Sequence, residues 1–325
     1  MDFLAVKFPV SQVETSIIVP PLVAFFISIF TSMAGLSGAF LLLPFQVSFL
    51  NFTAPSVSAT NFVYNVVAIP SGAYRYLREG RMAWPLVLAI VIGTLPGVFV
   101  GYYLRVLWMP DPPAFKLFVG CVLLYVGLRL LYEMTPRSQR GKNAMKDMED
   151  KFDQQAKKLK EERSGKISAG IPADVVLKTI SVSLRKVEYE FWGQRFSFNL
   201  MWMGILALIV GIIGGAYGIG GGAIIAPFCV AVFGLPIYTV AGAALLSTFL
   251  TSIAGVSFYS MIPAGTGQPI APDWLLGALF GFGGFFGTYT GARLQKYVPQ
   301  KIIKFVMGIL VTYVAARYIL QYWLY

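Results

Sequence analysis

Four of residues 218–222 are glycine, and they interrupt an apolar run that begins near Met201 and ends near Phe233. Glycine has no Cβ and a wide choice of backbone angles, so such a cluster breaks a hydrophobic helix. The chain resumes as Ala223-Ile224-Ile225-Ala226-Pro227-Phe228. A weaker copy stands far upstream, Gly35-Leu36-Ser37-Gly38-Ala39, followed by Phe40-Leu41-Leu42-Leu43-Pro44-Phe45. As a helix, residues 39–50 cover only roughly 18 Å, too short to cross a bilayer core of roughly 30 Å comfortably. The two breaks are expected to form the working site, with the rest of the chain holding them in place.

What surrounds the breaks is membrane-like. The 325 residues are 57% hydrophobic and 13% charged, against about 25% charged in soluble domains, so most of the chain must lie in a solvent that rejects charge. The N-terminus lacks the basic region and small-residue cleavage site of a secretory signal. The net charge of +11 reads as membrane orientation, with Lys and Arg gathered on the cytoplasmic side, and not as nucleic-acid binding. Cys121 and Cys229 both lie in apolar spans and histidine is absent, so neither a disulfide framework nor a metal-ligand spacing exists, and no cofactor is expected.

In order, apolar segments cover about 17–33 and 39–50, then 56–77, 84–108 and 114–133. The composition then changes: residues 134–198 hold 14 of the 26 Lys and Arg and 9 of the 15 Asp and Glu. Residues 143–163 read as a charged, solvated helix. The alternation through 174–199, with a turn at Gly193-Gln194, predicts a small β-hairpin. The apolar pattern resumes at 201–216, 223–233, 237–262, 274–297 and 302–322. Residues 1–133, 134–198 and 199–325 are thus a first membrane repeat, a charged insert and a second membrane repeat.

The two membrane segments are copies. Gly38, Pro44, Phe45, Val57, Gly72 and Tyr76 match Gly221, Pro227, Phe228, Val240, Gly255 and Tyr259 at an offset of 183. Trp84, Gly93, Gly97, Gly101 and Leu104 match Trp274, Gly283, Gly287, Gly291 and Leu294 at 190. Lys116, Gly120, Tyr125 and Arg129 match Lys304, Gly308, Tyr313 and Arg317 at 188. Loop charges give the orientation. Arg75, Arg78 and Arg81 fill one loop of the first copy, whereas its counterpart at 262–273 has no basic residue; the next pair of loops reverses the bias. Equivalent loops therefore face opposite sides. Each broken pair must enter and leave on one face, either re-entrant or as two thin spans. The expected fold is an all-α polytopic membrane protein of two inverted repeats. Each repeat is a glycine-broken helix hairpin plus three transmembrane helices. The charged insert is cytoplasmic, with a small helix and a β-hairpin, and both termini lie outside. Trp84, Trp108, Trp202, Trp274 and Trp323 fall at span ends, as interfacial aromatics do.

No Asp, Glu or His lies in the core of a span, which argues against a proton relay, a carboxylate cation site and an embedded metalloenzyme. Inverted repeats with discontinuous helices are the pattern of secondary transporters, whose sites lie near the midplane. At each break a short helix starts, and its free N–H groups suit an anion. The donors are those of Ser37, Gly38 and Ala39 on one side and Gly220, Gly221 and Gly222 on the other, with Gly35 counted among the candidate binding residues. The competing reading is that these glycines only let helices pack closely. Asn61 and Asn65 lie one turn apart, and Thr248 occupies the repeat position of Asn65, with Ser247 and Thr251 beside it. They either line the pocket or act as interhelical hydrogen-bonding groups. Arg129 and Arg317 read as snorkelling side chains, and the glycine series as helix packing inside the bundle or, less favoured, a homodimer face.

The Gly218–Pro227 stretch, its degenerate copy at Gly35–Pro44, and Gly287-x-x-x-Gly291-x-x-Leu294 resemble the sulfite exporter TauE/SafE family, also called toluene-sulfonate uptake permeases. The resemblance covers both membrane segments and implies a transporter, not an enzyme, for sulfite, sulfonates or related small sulfur-containing anions in a bacterial or archaeal plasma membrane. The first copy, Gly-Leu-Ser-Gly, departs from the glycine-rich form, and the charged insert falls outside. Voltage-assisted export is the reading adopted here. Coupled uptake, an anion channel and a scaffold role for the insert are the alternatives.

Overall fold

The computed structural model describes residues 5–33, 36–78, 82–135, 177–183, 185–191, 194–235, 237–263, 265, 267–294 and 300–324. The helix expected at 143–163 lies outside them, as does Gly35. The described chain opens with an antiparallel strand pair, β1 (Ala5–Lys7) and β2 (Glu14–Ser16), where residues 1–16 read in sequence as a short polar-apolar lead without a strand signal. Helices α1 (Val19–Met33), α2 (Ala39–Ser48), α3 (Ser56–Ala68), α4 (Pro70–Arg78), α5 (Trp84–Tyr103) and α6 (Pro112–Tyr132) follow. A π-helical turn, Leu104–Trp108, extends α5. Three antiparallel strands, β3 (Lys178–Val182), β4 (Val187–Phe191) and β5 (Gln194–Phe198), form a meander whose second turn is the expected hairpin. Helices α7 (Leu200–Tyr217), α8 (Gly222–Phe233), α9 (Ile237–Met261), α10 (Trp274–Leu294) and α11 (Gln300–Leu324) complete the chain. Among the described residues five helices are long and apolar enough to span a membrane.

Local chemistry explains most boundaries. Asn199 caps α7 by accepting from Met201 and Trp202 amides at 3.0 and 3.2 Å, the side-chain N-cap that satisfies otherwise orphaned donors. Pro70 has no N–H and disfavours helix at the preceding residue, so the expected 56–77 span is split into α3 and α4, while its counterpart α9 runs unbroken.

The packing shows the inverted repeat directly. Helix α6 touches its own copy α11, with Gly120 facing Ile319 and Leu131 facing Gly308. These pairs are symmetry mates at offset 188, and rising numbers on one helix meet falling numbers on the other. The same holds for α3–α4 against α9, where Gly72 meets Leu245 and Phe62 meets Gly255, mates at offset 183. Copies that run antiparallel across a two-fold place the axis perpendicular to the helices, hence in the membrane plane.

The first helix of each repeat packs parallel to the fourth segment of the other. Gly283, Gly287 and Gly291 face Pro21, Phe25 and Ile29, while Gly93, Gly97 and Gly101 face Gly204, Leu208 and Ile212. The glycine series thus works inside the bundle, where the missing Cβ lets backbones approach.

The two ends of the bundle carry different structures. At one end the β1–β2 loop docks on Asp273, whose carboxylate accepts from the Ser11 amide and hydroxyl at 3.0 and 2.9 Å. The same carboxylate receives the Leu276 amide at the start of α10. At the other end the sheet meets α9 through Tyr189 and Thr239, whose hydroxyl oxygens lie 2.9 Å apart. Burial pushes the Tyr189 phenol up to about 12, so it serves there as a neutral hydrogen-bonding group. The pair α1–α2 starts and finishes at the β1–β2 end; α7–α8 starts and finishes at the sheet end.

Candidate functional site

The breaks meet inside the bundle, and Asn65 joins them. Its Nδ2 donates to the Ile219 carbonyl at 3.1 Å, and its Oδ1 accepts from the Ser37 hydroxyl at 3.3 Å. One amide thus touches residues 182 positions apart (219 minus 37), one from each repeat. Tyr217 adds a second bridge. Its hydroxyl donates to the Phe40 carbonyl at 2.8 Å, and its ring stacks on Phe40 with centroids 5.7 Å apart and planes 3° from parallel. That carbonyl is available because Pro44, four residues on, has no N–H to return to it.

The second break needs its glycines for backbone reasons. Gly218 closes α7 with φ +87°, and Gly220 follows at φ +75°, a region that costs other L-residues roughly 1–2 kcal/mol. Three of the four carbonyls in the last turn of α7 are engaged. Gly214 accepts the Gly218 and Ile219 amides, Gly215 the Tyr259 hydroxyl at 3.1 Å, and Ala216 the Ser58 hydroxyl at 2.8 Å. Hydrogen-bond donors therefore cover part of the negative end of that helix. The positive ends of α2 and α8 face the same region.

The remaining predicted residues gather here too. The Gly221 amide donates to Thr251 Oγ1 at 3.2 Å. Thr251 in turn donates to the Ser247 carbonyl, and Thr248 to the Ala244 carbonyl, each one turn back. A Cβ on Gly222 would stand 2.5 Å from Thr248 Oγ1, and one on Gly221 would stand 2.5 Å from Thr94 Cβ. On the other side Asn61 Nδ2 donates to the Ala39 carbonyl at 3.0 Å, and its Oδ1 accepts from Gln46 at 3.4 Å. The Ala39 amide is held by Ser37 Oγ at 3.3 Å. Two of the amides assigned to an anion from sequence, those of Ala39 and Gly221, therefore already have protein acceptors. In this conformation the asparagines and threonines tie the tips down.

Among the described residues, the fully buried hydroxyls of Ser247 and Ser252 have no hydrogen-bond partner, and neither does Gln46 Oε1. Ser252 lies against Gly220 and Ser247 one turn before Thr251.

Several contributors were not singled out from sequence. Tyr64 and Ser28, whose hydroxyl oxygens lie 2.8 Å apart, back Gly38; Thr94 backs Gly221; Ser58 and Tyr259 cap α7. Tyr217 directly precedes the glycine cluster, which was its one available signal. Arg129 is less free than a snorkelling reading implies. It donates to the Pro227 carbonyl at 2.7 Å, lies over the Phe228 ring and stands 3.7 Å from Glu133, which pairs with Lys304 at 2.7 Å. A groove of about 480 Å³ between α6, α7 and α8 is lined by apolar side chains such as Val122, Ile213 and Phe228. It offers an anion nothing to bind.

Neither the curated proteins nor the solved structures contain a match to the chain. The family model described as sulfite exporter TauE/SafE matches residues 21–318, which takes in both repeats and the insert between them. The chain is an integral, multi-pass membrane protein that belongs to the sulfite exporter TauE/SafE family, a family of membrane transporters.

Proposed function

We propose that the protein is a secondary transporter that exports sulfite or a small organosulfonate by alternating access, with the anion held where the two breaks meet. The observation that carries this is the Asn65 junction. It joins the tips of two helix pairs that enter from opposite ends of the bundle, and Ser252, whose buried hydroxyl has no partner among the described residues, lies against Gly220 just before α8. Hydroxyls and amides on the Gly214, Gly215 and Ala216 carbonyls reduce the negative end of α7 and shift the balance of partial charge toward positive, which suits an oxyanion. Rearrangement of Asn61, Asn65, Thr248 and Thr251 from protein acceptors to the anion would couple binding to a change in how the tips are held. Residues 134–198 then lie in the cytoplasm, and the β1–β2 end with both termini lies outside, in keeping with the loop charges.

Export down the membrane potential needs no coupling carboxylate. A potential of 100 mV, negative inside, contributes about 2.3 kcal/mol per charge, which is about a 50-fold concentration ratio for a monovalent anion. The test is efflux of radiolabelled sulfite from proteoliposomes under imposed potassium-diffusion potentials. Saturable efflux that rises with an inside-negative potential is expected. Sulfite flux indifferent to voltage but dependent on a proton or sodium gradient would overturn the uncoupled mechanism, and non-saturating conductance would show a channel.

A further inference from the structure

Arg105 is the one described residue with a full charge at 0% exposure. It sits in the π-helical turn at the end of α5, on the β1–β2 side of the bundle. Its Nη2 donates to the Thr53 carbonyl at 2.7 Å and its Nη1 to the Met109 carbonyl. Its guanidinium lies over the Phe115 ring, 3.7 Å from the centroid. Among the described residues no carboxylate pairs with it and its Nε–H has no acceptor.

A buried ion is costly unless paired, and a buried unpaired donor costs about 1–3 kcal/mol by itself. Two carbonyls and a ring face return part of that cost, and a helix end needs no guanidinium to satisfy one carbonyl. The π-turn matters too, because such insertions frequently mark functional positions. Tyr102, one turn before Arg105, packs edge-on against Tyr259 with ring centroids 4.9 Å apart, and the Tyr259 hydroxyl donates to Gly215 in the last turn of α7. These two tyrosines link the turn that carries Arg105 to the second break.

We propose that Arg105 forms a second anion subsite, between the tip junction and the β1–β2 end, which receives the oxyanion as it leaves the breaks. The inference rests on the transport reading above. Arg105 presents a planar fork suited to two oxygens of one oxyanion. An anion takes the Nε–H together with Nη2, the nitrogen now held by the Thr53 carbonyl. Release of Thr53 frees the 51–55 loop from α5, so occupancy of the subsite opens the mouth at that end. In the structure described here the mouth is closed and the fork is bound to protein carbonyls.

The test uses the full-length protein in nanodiscs, with sodium sulfite titrated by calorimetry and efflux measured in proteoliposomes. Arg105→Gln and Arg105→Lys are compared with wild type after each is shown to be monodisperse. The expected result is that Arg105→Gln weakens sulfite binding or raises the efflux KM at least tenfold, while Arg105→Lys, which keeps the charge, recovers most of that loss. A purely structural strap predicts the opposite pattern, because lysine cannot reach both carbonyls. Both variants would then lose thermal stability and keep the wild-type sulfite affinity and KM, and that result would overturn the proposal. If Arg105→Gln does not fold, Arg105→Met takes its place under the same criteria, and Arg105→Lys is read for the small residual loss that remains when the fork is reduced to one ammonium: about a two- to threefold weaker sulfite affinity supports the subsite, and affinity equal to wild type with lowered stability refutes it. Wild-type protein that binds no sulfite would overturn the transport reading itself, a result distinguishable from failure of the subsite alone.

Discussion

Asn65→Ala removes the side chain that joins the two breaks, and its consequences can be worked out bond by bond. Two hydrogen bonds disappear, to the Ile219 carbonyl and from the Ser37 hydroxyl. Such bonds inside membrane proteins are worth about 0.6 kcal/mol each, which sets a floor of about 1.2 kcal/mol. Leaving the buried Ile219 carbonyl unpaired raises the figure toward about 3 kcal/mol. The expected stability loss is therefore about 1–3 kcal/mol, enough to lower Tm by several degrees but not to prevent insertion. Sulfite binding should suffer more than this suggests, because the tips lose their common anchor; about a tenfold or greater rise in Kd is expected, equivalent to about 1.4 kcal/mol.

Tyr318→Phe is the matched control. Its hydroxyl also makes two bonds, with Ser48 at 2.5 Å and the Pro44 carbonyl at 3.2 Å, but toward the far end of α2. The assay is thermal unfolding with and without sulfite, paired with calorimetric titration. Asn65→Ala should lose the sulfite-induced stabilisation and Tyr318→Phe should keep it, at comparable losses of intrinsic Tm. Wild-type affinity in Asn65→Ala would show that the junction is structural and the anion binds elsewhere.

Gly221→Val drives a branched side chain into Thr94, whose Cβ would be 2.5 Å from the new Cβ; size-exclusion profiles should stay monodisperse while the sulfite-induced thermal shift disappears. Gly218→Ala combines an unfavourable φ of +87° with a Cβ placed 2.8 Å from Ser58 Cα, and should cost about 1–3 kcal/mol of stability by thermal unfolding. In a cysteine-free background, Lys7→Cys and Ser181→Cys stand on exposed positions at opposite ends of the bundle; a membrane-impermeant maleimide applied to intact cells should label the first and spare the second. Labelling of Ser181→Cys alone would reverse the proposed orientation.

The architecture was legible because duplication leaves a numerical trace. Gly72, Gly93 and Gly120 align with Gly255, Gly283 and Gly308 in the sequence, and the same residues return as paired contacts across the two-fold. Loop charges then gave the inversion that the antiparallel packing of α6 on α11 displays. The breaks were legible because glycine is costly in a helix and therefore conspicuous. What α2, α3 and α9 do with their polar groups was not. An asparagine in an apolar span signals a partner, but only the fold shows that Asn65 reaches both repeats whereas Asn61 serves α2 alone. Arg105 was the clearest miss, because by position it reads as a charge flanking a loop. Its burial depends on the 51–55 segment folding over it and on Phe115 beneath it, neither of which leaves a periodic signal. Docking of the β1–β2 loop on Asp273 was hidden for the same reason, since it joins residues about 260 positions apart.

The central claim is that both breaks hold one anion. A structure of the full-length protein in nanodiscs with saturating sulfite tests it most directly. The account predicts density for one oxyanion within hydrogen-bond distance of at least one residue from each break, Ser37 or Gly38 on one side and Gly220 or Gly222 on the other. It also predicts that Asn65 no longer bridges Ser37 and Ile219. Sulfite bound in contact with neither break, with the Asn65 bridge intact, would contradict it.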